Sequence, residues 1–143
     1  MIRLITDKEE KERIIRLCDD AFDEGFFRQP DYEARLEKID RFAEFYAAYA
    51  EGELAGYAAL YNNDLASRKA FITSIGVRPS FRKRRIGSEL MQKCIDRARE
   101  KGMRCLRLEV RKDNKTAISF YRRHAFVTER ECSPESDFMI LAL

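Results

Sequence analysis

The stretch from Ala70 to Val110 constrains the fold of this chain most. Ala70–Val77 is a β-like apolar run with Pro79 just beyond it. Ile86, Leu90, Cys94 and Ala98 then recur every four residues, Met91 and Ile95 widen the same face, and Gly102 follows as a C-cap. Met103–Val110 is β-like again, with Cys105 alternating against Leu106 and Leu108. Strand, helix and strand in this order make a helix crossover within one sheet.

The flanking segments extend that sheet. Ile2–Ile5 predicts a short strand, and Thr6-Asp7-Lys8-Glu9 reads as a capping box. Ile14, Leu17, Cys18 and Ala21 predict a helix from residue 8 to about 22, ended by Gly25. Pro30 and Asp31 open a second helix carrying Tyr32, Leu36 and Ile39 on one face. Phe45–Ala50 and Leu54–Tyr61 form a hairpin about Glu51-Gly52-Glu53. Asn114–His124 is a short helix, and Phe126–Glu131 and Phe138–Leu143 are closing strands. The order βααβββαβαββ predicts a mixed α/β (α+β) domain over residues 1–143, with no internal repeat or linker. A chain of 143 residues buries about 69% of its unfolded surface and needs neither disulfide nor metal to hold a core.

Composition excludes several function classes. The 28 basic and 25 acidic residues nearly cancel, so the net charge of +3 implies no polyanionic partner. Cys18, Cys94, Cys105 and Cys132 contain no CxxC pair, and His124 is the one histidine, which argues against a metal site. No apolar segment follows Met1, and runs such as Phe45–Ala50 and Phe138–Leu143 are too short to span a bilayer. The expected setting is a reducing cytoplasm, with the thiols as small core residues.

The segment that carries chemistry runs from Ile75 to Ser88. Five basic residues occupy the eight positions 78 to 85, between a strand and the start of a helix. A helix N-terminus offers unpaired N–H groups and a positive dipole end, and so receives phosphate readily. Gly87 permits close backbone approach, Ser88 adds a hydroxyl, and the arginines suit a multiply charged phosphate. A solvated basic turn is the alternative from these residues alone.

Arg82-x-x-Arg85-x-Gly87 resembles the acetyl-CoA motif of the GNAT (GCN5-related) N-acetyltransferases, departing from it at Arg85, where the family has Gly. Asn114-x-x-Ala117-x-x-Phe120-Tyr121 with Ala125-Phe126 resembles the family's second signature, with Ala125 in place of Gly. The element order is similar over nearly the whole chain. The resemblance implies acetyl-CoA as acyl-donor cosubstrate. It puts a β-bulge around Ile75–Val77, with the Ile75 N–H toward the thioester carbonyl and the Val77 N–H toward the pantetheine arm. A donor at that carbonyl is worth on the order of a few kcal/mol. The resemblance also implies that Lys83, Arg85, Gly87 and Ser88 cradle the pyrophosphate with Arg82 nearby, and that Asn114 binds the pantetheine or thiol end. If position 85 needs φ > 0, Arg85 costs on the order of 1 kcal/mol.

Tyr121 stands where the family's tyrosine protonates the departing coenzyme A, and a phenol is neutral at pH 7. The general base is open: Thr73 and Ser74 occupy the place of the family's strand-borne Glu, and Glu109 faces either the slot or away from it. Asp19, Asp20, Asp23 and Glu24 lie where the family borders its acceptor, and they hint at a cationic acceptor; Asp23, Phe26 and Phe27 are the candidate substrate contacts. His124 is expected at the surface or in a cap.

The function so implied is an N-acetyltransferase acting on a small-molecule or protein amine by direct attack in a ternary complex. Monomer and homodimer are both open. A non-catalytic acyl-CoA sensor is the alternative. A nucleic-acid module needs basic residues spread over a face, whereas here they concentrate in one loop.

Overall fold

The computed structural model describes residues 1–22 and 25–143. Among them one seven-stranded sheet runs in the order β1-β2-β3-β4-β5-β7-β6. The elements are β1 (Ile2–Leu4), α1 (Lys8–Leu17), α2 (Tyr32–Phe42), β2 (Ala43–Ala50), β3 (Glu53–Tyr61), β4 (Lys69–Val77), α3 (Ile86–Glu100), β5 (Cys105–Arg111), α4 (Lys115–Arg123), β6 (Val127–Ser133) and β7 (Ser136–Ala142). Neighbours pair antiparallel except β4 and β5, which are parallel and joined through α3. This is the expected order and fold class.

The sheet buries both faces against helices, and this sets up two cores. On one face Leu90, Met91, Cys94 and Ala98 of α3 pack on Leu60, Ile72, Leu106 and Leu108. On the other, Ile14, Ile15, Leu36 and Ile39 of α1 and α2 cover Phe45, Tyr57 and Ala59. Residues 57–60 of β3 alternate between the two cores, as a central strand must. Each fully buried aliphatic side chain contributes roughly 1.5–3 kcal/mol. A polar knot closes the edge of the α3 core: the Glu44 carboxylate accepts from Arg97 Nε at 2.9 Å, the Tyr46 hydroxyl at 2.6 Å and Asn62 Nδ2 at 3.0 Å.

Local differences from expectation have local causes. Asp7, rather than Thr6, caps α1, its carboxylate accepting from the Glu10 N–H at 3.0 Å. The helix stops at Leu17 instead of about residue 22, because Asp19–Ala21 tighten into a 3-10 turn. Asp19 Oδ1 accepts the Phe26 N–H at 2.8 Å and fixes the return. Gly25 therefore ends no helix; it is buried, and a Cβ there would come within 2.6 Å of the Asp19 carboxylate. The closing strands reach further toward their turn than expected, where Ser133 and Ser136 hydroxyls meet at 3.0 Å. The exposed edge strand β6 carries no apolar alternation that could mark its end.

Candidate active site

Pairing of β4 with β5 runs from Lys69↔Cys105 to Ile72↔Leu108 and stops, although the strands continue to Val77 and Arg111. The cause lies on the opposite edge of β4. Ala59 pairs with Ser74 and Leu60 with Ile72, so Thr73 is an extra residue in β4. Such a bulge bends and twists its strand, and here it opens a seam between β4 and β5. The bulge expected around Ile75–Val77 thus lies at Thr73.

Strand alternation then decides which backbone groups face the seam. The Arg78 N–H donates to Ala55 O at 2.7 Å, in register with Gly56↔Val77 and Ala58↔Ile75. Since N–H direction alternates along an antiparallel strand, Ser74 and Gly76 point theirs at β3, and Ile75 and Val77 point theirs into the seam. The side chains of Ile75 and Val77 rest on the α3 core.

Beyond β4, Pro79–Phe81 form a 3-10 turn anchored by buried Phe81. Lys83 and Arg85 both adopt left-handed backbone, at φ 65° and 63°. Such alternation turns successive N–H groups toward one concave side, an anion-binding nest. Arg85 is also the N-cap of α3 and supplies no side-chain cap. Among the described residues, no backbone N–H from Lys83 to Ser88 has a protein acceptor. An array of free donors at a helix N-terminus fits a pyrophosphate. Gly87 sits where a Cβ would stand 3.3 Å from the Phe120 ring. Arg82 is partly occupied: its guanidinium donates to Val77 O and Ala21 O, both at 3.3 Å, tying the loop to β4 and to the turn after α1.

On the same face of the sheet, α4 begins at Asn114, whose Oδ1 accepts the Ala117 N–H at 3.2 Å. Its Nδ2 has no protein partner among the described residues and is free to donate to a ligand. Tyr121 packs against Phe120 and Phe126 at centroid distances of 5.6 and 5.9 Å. Burial pushes its phenol up to about 12, so it stays protonated. His124 caps the C-terminus of α4, as expected, and its Nε2 meets the Ser88 hydroxyl at 3.1 Å. No cysteine joins this group; burial pushes the Cys18 and Cys94 thiols up to about 12, away from nucleophilic thiolate.

The α2 face carries the other half of the site. Leu106, Leu108 and Val110 join the α3 core, so Arg107 and Glu109 project to the opposite side. Both line a cavity of about 730 Å³ shared with Arg35, Lys38, Tyr61 and Thr73. Glu109 is exposed there, and its Oε2 accepts from the buried Ser136 hydroxyl at 2.7 Å. Its direction, open in the sequence, follows once Leu106 and Leu108 are placed in the α3 core.

Two of the candidates from the loop after α1, Phe26 and Phe27, fall elsewhere. Phe26 is buried in the α1/α2 core, Phe27 stacks edge-on to it and to Tyr32, and neither lines the cavity. Asp20 pairs with Arg78 at 3.8 Å. Asp23 lies outside the described residues, as does Glu24.

A mixed sheet split at its one parallel pair thus carries an anion nest on one face and an open cavity on the other. The chain belongs to the GNAT acetyltransferase family, whose model matches residues 11–126. Members of this family use acetyl-CoA and transfer its acyl group to amines. The streptothricin acetyltransferase of Streptomyces lavendulae is 42% identical over 82 residues, which cover 57% of this chain and 43% of that enzyme. The match thus spans less than half of that relative. The thialysine N-epsilon-acetyltransferase of Bos taurus is 28% identical over 131 residues, 85% of this chain and 74% of that enzyme. In fold, the PaiA N-acetyltransferase of Thermoplasma acidophilum, solved in complex with coenzyme A, superposes with a TM-score of 0.80 at 21% identity, covering 100% and 99% of the two chains.

Proposed function

We propose that this chain is an acetyl-CoA-dependent N-acetyltransferase in which the amine attacks the acetyl carbonyl directly. The observation that carries this is the seam opened at Thr73, with Tyr121 on one face of the sheet and Glu109 on the other. The donor arrives from the first face, its pyrophosphate on the N–H groups of Lys83, Arg85, Gly87 and Ser88 beside Arg82. Its pantetheine runs past the Val77 N–H and Asn114. The acceptor arrives from the second face.

Each residue then has one task. An ammonium cannot attack, and Glu109 takes its proton, directly or through one water. The nitrogen lone pair forms the C–N bond as the carbonyl oxygen gains charge, which the Ile75 N–H stabilises. The C–S bond breaks, and the sulfur takes a hydrogen bond and then the proton from Tyr121. A free thiol with a pKa of about 8.5 is more acidic than this phenol, but a thiolate held in the same dry seam is raised by the same desolvation. No acyl-enzyme is needed on this reading, and none of the four cysteines falls in the phosphate loop or in Asn114–Tyr121.

Support for a base at Glu109 weakens the sensor alternative, whose main attraction is the absence of a carboxylate on β4. The test is the Glu109→Gln variant in a thiol-release assay across pH. The expected result is a loss of at least tenfold in kcat/KM near neutral pH that recovers as the bulk pH deprotonates the amine. A loss that does not depend on pH, or no loss, would remove Glu109 from the mechanism.

A further inference from the structure

The charge arrangement of the α2-face cavity carries information about the acceptor. Four cations line it, Arg35, Lys38, Lys69 and Arg107, against two carboxylates, Asp64 and Glu109. Arg107 is engaged with Glu129 at 2.8 Å. Asp64 takes the Ser67 hydroxyl and N–H, which lower its pKa most, and Lys69 adds a smaller lowering without an ion pair to any carboxylate among the described residues. Arg35 and Lys38, at i and i+3 on α2, have no carboxylate within ion-pair distance among the described residues. Their rings hold them instead, Arg35 over Phe26 and Lys38 over Tyr61, both at 4.9 Å.

The acidic residues of α2 are engaged elsewhere. Glu37 binds Lys8 at 2.8 Å, Asp40 binds Lys11 at 3.0 Å, and Glu33 accepts from the Tyr32 hydroxyl. Of the acids that hinted at a cationic acceptor, Asp19 holds the Phe26 N–H and Asp20 faces Arg78, while Asp23 and Glu24 lie outside the described residues. The cavity is therefore bipolar, with Glu109 on β5 beside the seam and two uncompensated cations on α2.

We propose that the acceptor is a small amine bearing an anionic group, carboxylate or phosphate, with the anion held by Arg35 and Lys38 and the amine directed to Glu109. This rests on the acetyltransferase reading of the same site. A cavity of about 730 Å³ has the size of small-molecule sites. A polyamine would bring like charge against Arg35 and Lys38, and like-charge juxtaposition works against binding.

The experiment compares matched acceptors with acetyl-CoA by thiol release: lysine against cadaverine, glucosamine 6-phosphate against glucosamine, and spermidine. The expected result is that the anionic member of at least one pair is preferred by about tenfold in kcat/KM, equivalent to 1.4 kcal/mol. The pair that responds distinguishes carboxylate from phosphate. Arg35→Gln/Lys38→Gln should bring that ratio near one while the dissociation constant of coenzyme A is unchanged. Preference for spermidine or for the partners that lack the anionic group, or a ratio insensitive to the double substitution, overturns the proposal. N-acetyl-lysine and N-acetylglucosamine 6-phosphate are also titrated into the coenzyme A complex. Failure of both to bind, together with no turnover of any anionic amine, overturns the proposal as well. If coenzyme A itself does not bind, the acetyltransferase reading fails first.

Discussion

The imidazole of His124 meets the hydroxyl of Ser88 at 3.1 Å, joining the cap of α4 to the first turn of α3. Burial and then Arg123 lower the histidine pKa below its ordinary 6.5. The unfolded chain therefore binds this proton more readily than the folded one, and the native state is favoured above pH 6.5. That advantage is lost as pH falls through the folded value. Thermal melts between pH 5 and 8 should show the wild type losing Tm on acidification more steeply than His124→Gln. Parallel curves would exclude His124 as a source of the slope.

Tyr121 has its phenol pushed up to about 12 by burial alone. It should remain a proton donor across the whole working range. The Tyr121→Phe variant is expected to lose at least tenfold in kcat with coenzyme A affinity unchanged. The wild-type kcat profile should show no descending limb near pH 10 from this group. Unchanged turnover in the variant would remove Tyr121 from the chemistry.

Ala125 and Gly102 occupy equivalent positions at the ends of α4 and α3. The Phe126 N–H bonds to Tyr121 O and the Ala125 N–H to Arg122 O, as Met103 does to Ala98 and Gly102 to Arg99. Both residues are left-handed, at φ 72° and 77°, but only one is glycine. The strain at Ala125 is on the order of 1 kcal/mol, partly offset by the greater freedom of glycine in the unfolded chain. Ala125→Gly should raise the urea midpoint without changing the m-value. A lowered midpoint would contradict the strain.

Gly56 lies against Gly76 across the β3–β4 pair, where a Cβ would stand 2.3 Å from the Gly76 carbonyl oxygen. Gly56→Ala must displace β4 next to the Val77 N–H. A stability loss of about 1–3 kcal/mol is expected, as for overpacking elsewhere, together with weaker coenzyme A binding measured on the folded fraction. Undiminished binding would separate this contact from the seam.

Much of this arrangement was legible before the structure, for physical reasons. Helix α3 announces itself because Ile86, Leu90, Cys94 and Ala98 repeat one face, and the strands beside it are long apolar runs. The Arg85 departure from glycine foretold a strained turn, and its φ of 63° is that strain. The bulge was misplaced because nothing in Ile72-Thr73-Ser74 marks an unpaired residue; register depends on the partner strand. The α2-face cavity was least legible. Arg35 and Lys38 look like ordinary surface residues of a helix until Glu33, Glu37 and Asp40 are seen to be engaged elsewhere. The acids after α1 drew notice by their density, yet Asp19 serves the local turn.

The most direct test of the central claim is calorimetric titration of acetyl-CoA into the purified chain and into Lys83→Glu/Arg85→Glu. One-to-one binding in the micromolar range, weakened at least about tenfold in the double variant, is the predicted result. No binding to the folded wild type, or equal binding by the charge-reversed loop, would contradict the assignment of residues 82–88 as the pyrophosphate cradle.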